Sequence, residues 1–251
     1  MKIRLDQLIF QRGLTDSREK ARALIIEGKV IVNGQKLEKP GTMVKESSEI
    51  KICGETLRYV SRGGLKLEHA IREFSISVKD KVAMDVGAST GGFTDCLLQH
   101  GAKKIYAIDV GYGQLAWKLR IDPRVVPIER TNIRYLSKDR IPEDIDIATV
   151  DVSFISLKLV IPKVLEFLKP EGEIITLIKP QFEVGRNDVD KGGIVKDPEK
   201  RKKAVEEIKK FFETLNLKVI GVIESPIRGQ KGNIEHLIYA KLTDNSSEYH
   251  T

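Results

Sequence analysis

Asp85-Val86-Gly87-Ala88-Ser89-Thr90-Gly91-Gly92-Phe93-Thr94 follows directly on the apolar run that begins at Val82. A strand that ends in a glycine turn and passes into a helix lets the backbone come close to a ligand. The glycines stand at 87, 91 and 92, so this is not the G-x-G-x-x-G dinucleotide fingerprint, and no P-loop lysine follows. Asp109 closes the next apolar run, 24 positions after Asp85. A carboxylate there can accept both ribose hydroxyls of a bound nucleoside. Alone, the loop is a Gly-rich turn. Together with Asp109 it reads as a nucleoside-type cofactor site.

Working outward, residues 61–251 alternate apolar runs with helical patterns, which predicts a doubly wound α/β sheet. The strand candidates are Val82–Val86, Lys104–Val110, Val125–Glu129, Ile147–Val150, Glu173–Ile178, Leu217–Ile223 and Ile234–Leu242. The last two are too close for a helical crossover and are expected to form an antiparallel pair. Open sheets of this kind bind ligands at the carboxyl ends of their strands. Asp151 follows the fourth candidate strand and Lys179 the fifth. Glu235 falls in the last, and Lys66 opens a helix whose buried stripe is Leu67, Ala70, Ile71 and Phe74. Taken singly, Lys66 is a solvated lysine, Asp151 a strand-end cap and Glu235 a surface glutamate. Lys179, ending a nearly continuous apolar run, needs a polar partner.

The first sixty residues have a different pattern. Leu5, Leu8 and Ile9 mark a short amphipathic helix ending at Gly13. Asp16 and Glu19 have capping-box spacing and open a second helix that runs through Glu27 to Gly28. Arg18 and Arg22 lie four apart on its outer face. Val30–Val32, Asn33-Gly34 and Gln35–Leu37 read as a hairpin, with a further strand at Ile50–Ile52.

Charge and cysteine usage narrow the class. The chain has a net charge of +7, and residues 1–60 carry 12 Lys and Arg against 8 Asp and Glu. A basic N-terminal region suits a polyanionic partner. Cys53 and Cys96 form neither a disulfide framework nor a metal-ligand spacing, and four histidines support no zinc site. Asp6 and Gln7 interrupt any leader-like apolar stretch, and no run approaches the ~18–20 apolar residues needed to span a bilayer. A reducing cytoplasm is the expected setting. A membrane-active cytolysin is disfavoured by the absence of a lytic amphipathic helix.

The front pattern, Arg4-Leu5-Asp6, Ser17-Arg18, Lys20-Ala21, Leu24-Ile25, Gly28 and Val32-Asn33-Gly34, resembles the RNA-binding domain first described in ribosomal protein S-four. The resemblance implies contacts to structured RNA through phosphates and shape, with Arg4, Arg18, Lys20, Arg22 and Arg62 as RNA-binding candidates. Lys66, Asp151, Lys179 and Glu235 match the Lys-Asp-Lys-Glu tetrad of FtsJ-like ribose methyltransferases. With the front domain, and with the stretches Lys179–Glu183 and Lys191-Gly192-Gly193, the chain resembles the TlyA family. That resemblance implies a Rossmann-like seven-stranded sheet, S-adenosylmethionine as cofactor, and transfer to the 2′-hydroxyl of cytidine in ribosomal RNA or ribosomal subunits. It places Asp85, Gly87 and Ala88 near the methionine end of the cofactor, within the loop that runs on through Ser89, Thr90, Gly91, Gly92 and Phe93. It puts Asp109 at the cofactor ribose and Asn132 at its adenine edge. The domains expected are 1–58 for RNA binding, a linker at 59–63, 64–244 for catalysis, and a polar tail at 245–251. No metal is needed, because the sulfonium already activates the methyl group. A lysine must shed its proton to act as a base, which desolvation and a second lysine favour and carboxylates oppose. Asp151 and Glu235 are therefore read as orienting the lysines. A binding protein that keeps the fold without turnover is the rival, and the complete tetrad argues against it.

Overall fold

The computed structural model describes residues 2–15, 17–53, 58–185 and 188–243, with only the backbone of Gln230. The chain divides into two compact units, Met1–Thr56 and Leu57–Thr251.

In the first unit, β1 (Lys2–Arg4) leads into α1 (Leu5–Gln11) and α2 (Arg18–Ile26), followed by β2 (Val30–Val32), β3 (Gln35–Lys36), β4 (Met43–Lys45) and β5 (Ile50–Ile52). β2 is the centre of an antiparallel sheet of order β3-β2-β5, and β1 pairs separately with β4. Leu5, Leu8, Ile9, Ala21, Leu24 and Ile25 close the core as their helical spacing predicts, with Val30 from β2. The cap of α2 is corrected: Ser17 Oγ accepts from Lys20 N at 3.1 Å, one position on from the predicted cap, and Asp16 lies outside the described residues. The β1–β4 pair has no counterpart in the sequence pattern, since each of these strands turns only its central residue, Ile3 or Val44, inward.

The second unit opens with α3 (Gly63–Glu73) and runs through β6 (Val82–Val86), α4 (Gly92–Gln99), β7 (Lys104–Ile108), α5 (Trp117–Arg120), β8 (Val125–Ile128), β9 (Ile145–Val150), α6 (Ile161–Leu165), β10 (Leu168–Ile178), α7 (Pro180–Glu183), α8 (Pro198–Thr214), β11 (Leu217–Glu224) and β12 (His236–Leu242). The seven strands are ordered β11-β12-β10-β9-β6-β7-β8. β12 runs antiparallel to both its neighbours, and the other adjacent pairs are parallel. Side chains alternate across the sheet with period two. Ala83, Ile105, Ile147 and Ile175 face α3, α4 and α5, while Met84, Tyr106, Ala148 and Ile174 face α6 and α8. Two apolar layers thus bury the sheet from both sides.

Two boundaries move. Glu235 precedes β12 rather than lying in it, and residues 59–63 are part of the second unit rather than a free linker. Tyr59 is buried, Val60 N donates to Asp95 Oδ2 at 2.8 Å, and α3 already begins at Gly63. The expected tail at 245–251 lies outside the described residues.

Candidate active site

The chain order reverses between β6 and β9, which are parallel neighbours. Their carboxyl ends are therefore the switch point at which sheets of this kind bind ligands. Asp151 N donates to Val86 O at 2.9 Å as the two strands end. Gly87 turns there with φ +86°, and a Cβ on it would stand 2.5 Å from Asp151 O. Both constraints require glycine. The loop is then tied to the neighbouring strand. Asp109 Oδ2 accepts from Ser89 N at 2.7 Å, and its Oδ1 accepts from Gly111 N at 2.6 Å.

Asp85 sits beneath this loop, fully buried. Its oxygens accept from Thr94 Oγ1 at 2.6 Å and Thr149 Oγ1 at 3.0 Å. Burial pushes its carboxyl up to about 6, the two threonine bonds oppose that shift, and the charge of Asp151 adds to it. Asp85 braces the start of α4 from below and does not line the cavity.

Two charged pairs flank the switch point. Lys66 Nζ donates to Glu235 Oε2 at 2.6 Å, joining α3 to the segment before β12, and both side chains are nearly buried. Lys179 Nζ lies 2.6 Å from Asp151 Oδ1 and donates to Ser153 Oγ at 2.9 Å. The structure thus draws the four tetrad residues into two lysine–carboxylate pairs from four separate segments. Each buried charge has the opposite charge beside it, as low-dielectric surroundings demand.

A cavity of about 300 Å³ opens here, lined by Ser61, Arg62, Gly63, Lys66, Gly87, Ala88, Ser89, Thr90, Gly92, Phe93, Asp151, Ile227, Arg228 and Gly229. Most of the predicted loop reaches it, as do Lys66, Asp151 and Arg62. Asp85, Gly91, Asp109, Asn132, Lys179 and Glu235 do not line it. Asn132 Oδ1 accepts from Arg134 N at 3.1 Å and so caps its own turn. The cavity suits a nucleoside cofactor in one specific respect: at Gly87 its wall is bare backbone, which a ligand can approach closely.

A family model described as FtsJ-like methyltransferase matches residues 59–242, and an S4 domain model matches residues 3–50. The chain is 42% identical to the 16S/23S rRNA (cytidine-2′-O)-methyltransferase TlyA of Mycobacterium tuberculosis, over 95% of this chain and 89% of that protein. The chain is an FtsJ-like methyltransferase of the TlyA family. It is also 49% identical to a Bacillus subtilis protein provisionally named rRNA methyltransferase YqxC, over 95% of this chain and 85% of that one. A solved Streptococcus thermophilus protein, provisionally named a hemolysin, superposes with a TM-score of 0.77 at 45% identity, covering 97% of this chain and 89% of that one. Among the described residues of this FtsJ-like methyltransferase, no helix is long and apolar enough to cross a membrane.

In the S4 domain, Arg4 and Arg18 both reach the buried Asp6, with Arg4 Nη2 at 3.0 Å and Arg18 Nη2 at 3.2 Å. Burial alone would raise the Asp6 carboxyl; hydrogen bonds and charge from the two arginines outweigh it and hold it below the ordinary range. These arginines therefore organise the domain while keeping half-exposed guanidinium groups. Arg22 is exposed and makes no hydrogen bond or ion pair among the described residues. Sequence reasoning missed Ser61, Gly63 and Ile227 on the cavity wall, and also Ser153, Arg228 and Gly229 at the candidate site. Ser153 shows no pattern beyond its place two after Asp151. Arg228 and Gly229 lie in a loop whose fold onto Glu235 has no sequence signal except the glycine itself.

Proposed function

We propose that this chain transfers a methyl group from S-adenosylmethionine to the 2′-hydroxyl of a cytidine ribose in ribosomal RNA, with Lys66, Asp151, Lys179 and Glu235 as its catalytic group. The observation that carries this reading is the pairing of Lys66 with Glu235 and of Lys179 with Asp151 beside the Gly87–Thr90 loop at the sheet's switch point.

When bound, S-adenosylmethionine supplies an electrophilic methyl group on a sulfonium. Gly87, Ala88, Ser89 and Thr90, which line the cavity, would hold its methionine end, and Asp109 and Asn132, beyond the cavity wall, are the candidates for its ribose and adenine. The ribose hydroxyl is a poor nucleophile, so the protein's work is to align it and remove its proton. Lys179 Nζ meets the 2′-oxygen. Asp151 Oδ1, 2.6 Å from that nitrogen, holds the lysine in place, and the amine in its uncharged form takes the hydroxyl proton. The net result is a proton moved from the 2′-oxygen to the Lys179–Asp151 pair. Lys66, neutralised by Glu235, lines the cavity and orients the ribose.

The S4 domain supplies affinity for structured RNA through Arg4, Arg18, Lys20 and Arg22, and Arg62 adds a further cation at the cavity. Phosphate contacts of this kind position the substrate without reading its sequence. The protein works in the cytoplasm, where ribosomal RNA is its substrate. The test is incubation with labelled S-adenosylmethionine and unmodified ribosomal RNA, followed by nucleoside analysis. The expected product is 2′-O-methylcytidine, and label recovered on a base overturns the reaction class.

A further inference from the structure

Lys179 has two polar neighbours, and they do different things. Asp151 Oδ1 is closer, at 2.6 Å, yet it is buried and receives no hydrogen bond of proper direction. The ion pair therefore fixes distance and charge but not angle. The directed bond of the ammonium goes to Ser153 Oγ at 2.9 Å. An ammonium on a flexible four-carbon stem has three donors arranged tetrahedrally. Once one N–H is aimed at Ser153 and the nitrogen is held beside Asp151, the directions open to the other two are restricted.

We propose that Ser153 is a positioning residue for Lys179, its hydroxyl orienting Nζ toward the ribose 2′-oxygen. This rests on the reading of Lys179 as the group that meets that oxygen.

The hydroxyl is itself held in place. Ser153 lies in the loop between β9 and the 3-10 turn Leu157–Leu159. Phe154 next to it takes φ +64°, an unfavourable conformation for a bulky residue that persists only where the surroundings enforce it. Two contacts do so. The Phe154 ring packs on Phe182 with centroids 5.2 Å apart, and the largely buried Glu183 carboxylate accepts from Ser156 Oγ at 2.6 Å and Leu157 N at 2.9 Å. Phe182 and Glu183 belong to α7, which begins immediately after Lys179. The loop that carries the acceptor and the helix that follows the donor are thus stitched together on either side of the bond. Ser153 is otherwise exposed, so its side chain has no packing role to confuse with this one.

The experiment is single-turnover methyl transfer into unmodified ribosomal RNA by the full chain and its Ser153→Ala, Ser153→Thr, Lys179→Ala and Ser153→Ala/Lys179→Ala variants. Cofactor affinity, RNA affinity and melting temperature are measured in parallel. Misalignment of a reacting group by about 1 Å can cost a hundredfold, so Ser153→Ala should lose roughly ten- to a hundredfold in rate with both affinities and the melting temperature unchanged. Ser153→Thr, which keeps the acceptor, should retain most of the rate. In the Lys179→Ala background, adding Ser153→Ala should cost nothing further, because the residue acts through the lysine. The proposal is overturned if Ser153→Ala works at the parental rate while Lys179→Ala is crippled. It is equally overturned if the Ser153→Ala loss persists undiminished without the lysine, or if threonine is no better than alanine. A parental rate in Lys179→Ala instead removes the catalytic reading beneath it.

Discussion

A Cβ on Gly87 would stand 2.5 Å from the carbonyl oxygen of Asp151. The Gly87 turn and the backbone of Asp151, whose carboxylate pairs with Lys179, thereby pack against each other at the switch point of the sheet. Gly87→Ala must both displace Asp151 and leave the left-handed conformation at φ +86°. Calorimetry should show weakened S-adenosylmethionine binding, and single-turnover assays a lowered rate. A variant unchanged in both would deny that this contact couples the two halves of the site.

A second glycine has an equally specific role. A Cβ on Gly229 would overlap Glu235 Oε1, on the carboxylate whose Oε2 holds Lys66. Gly229→Ala should therefore push Glu235 off Lys66 and lower methyl transfer to a similar extent as Glu235→Gln, which leaves a nearly buried lysine without its counter-charge. The comparison is made on rate at saturating RNA. Full activity in Gly229→Ala beside a crippled Glu235→Gln would contradict the packing described.

The buried Asp85 gives a pH dependence of known sign. Its carboxyl is raised to about 6 from an ordinary 3.8, so the folded state binds its proton more tightly than the unfolded chain. The stability linked to that proton is present below pH 4 and lost as pH rises through about 6, a loss on the order of 3 kcal/mol. Asp85→Asn cannot ionise and should lack this component. Denaturant unfolding between pH 4 and 7 should show the parent losing ground to the variant as pH rises. Parallel curves would contradict the assignment.

In the S4 domain, Arg18 and Arg22 should separate. Arg18 bonds the buried Asp6, whereas Arg22 has no bonded partner among the described residues. Both substitutions to alanine should weaken ribosomal RNA binding and reduce its salt slope, by about 0.7–0.9 for each phosphate no longer neutralised. Arg18→Ala alone should also lower the melting temperature. Equal melting temperatures for the two variants would count against the structural role of Arg18.

How much of this was legible follows from the physics of each element. All seven strands of the large sheet are readable, the central ones as nearly continuous apolar runs and β11 as a more exposed apolar stretch at the sheet edge. The antiparallel pairing of the last two followed from the short connection between them. The tetrad was legible through a resemblance, since a lysine that ends an apolar run advertises a buried partner but does not name it. What remained hidden lies in loops. Ser153, Arg228 and Gly229 have no periodicity, and only the tertiary course of the chain brings them to the site. The cap of α2 shifted by one residue because Asp16 and Ser17 are both good caps and adjacent. Asp85 resembled a cofactor contact, but its strand position points it down into the threonine pair instead.

The central claim is that Lys179 acts on the ribose hydroxyl, and the most direct measurement is the single-turnover rate of Lys179→Ala with saturating RNA and cofactor. Positioned acid–base groups contribute about 10²–10⁴-fold. The rate should fall by that order while affinity for S-adenosylmethionine and ribosomal RNA stays near the parental values, because the interaction is made chiefly in the transition state. A Lys179→Ala enzyme that forms 2′-O-methylcytidine at near the parental rate would contradict the account.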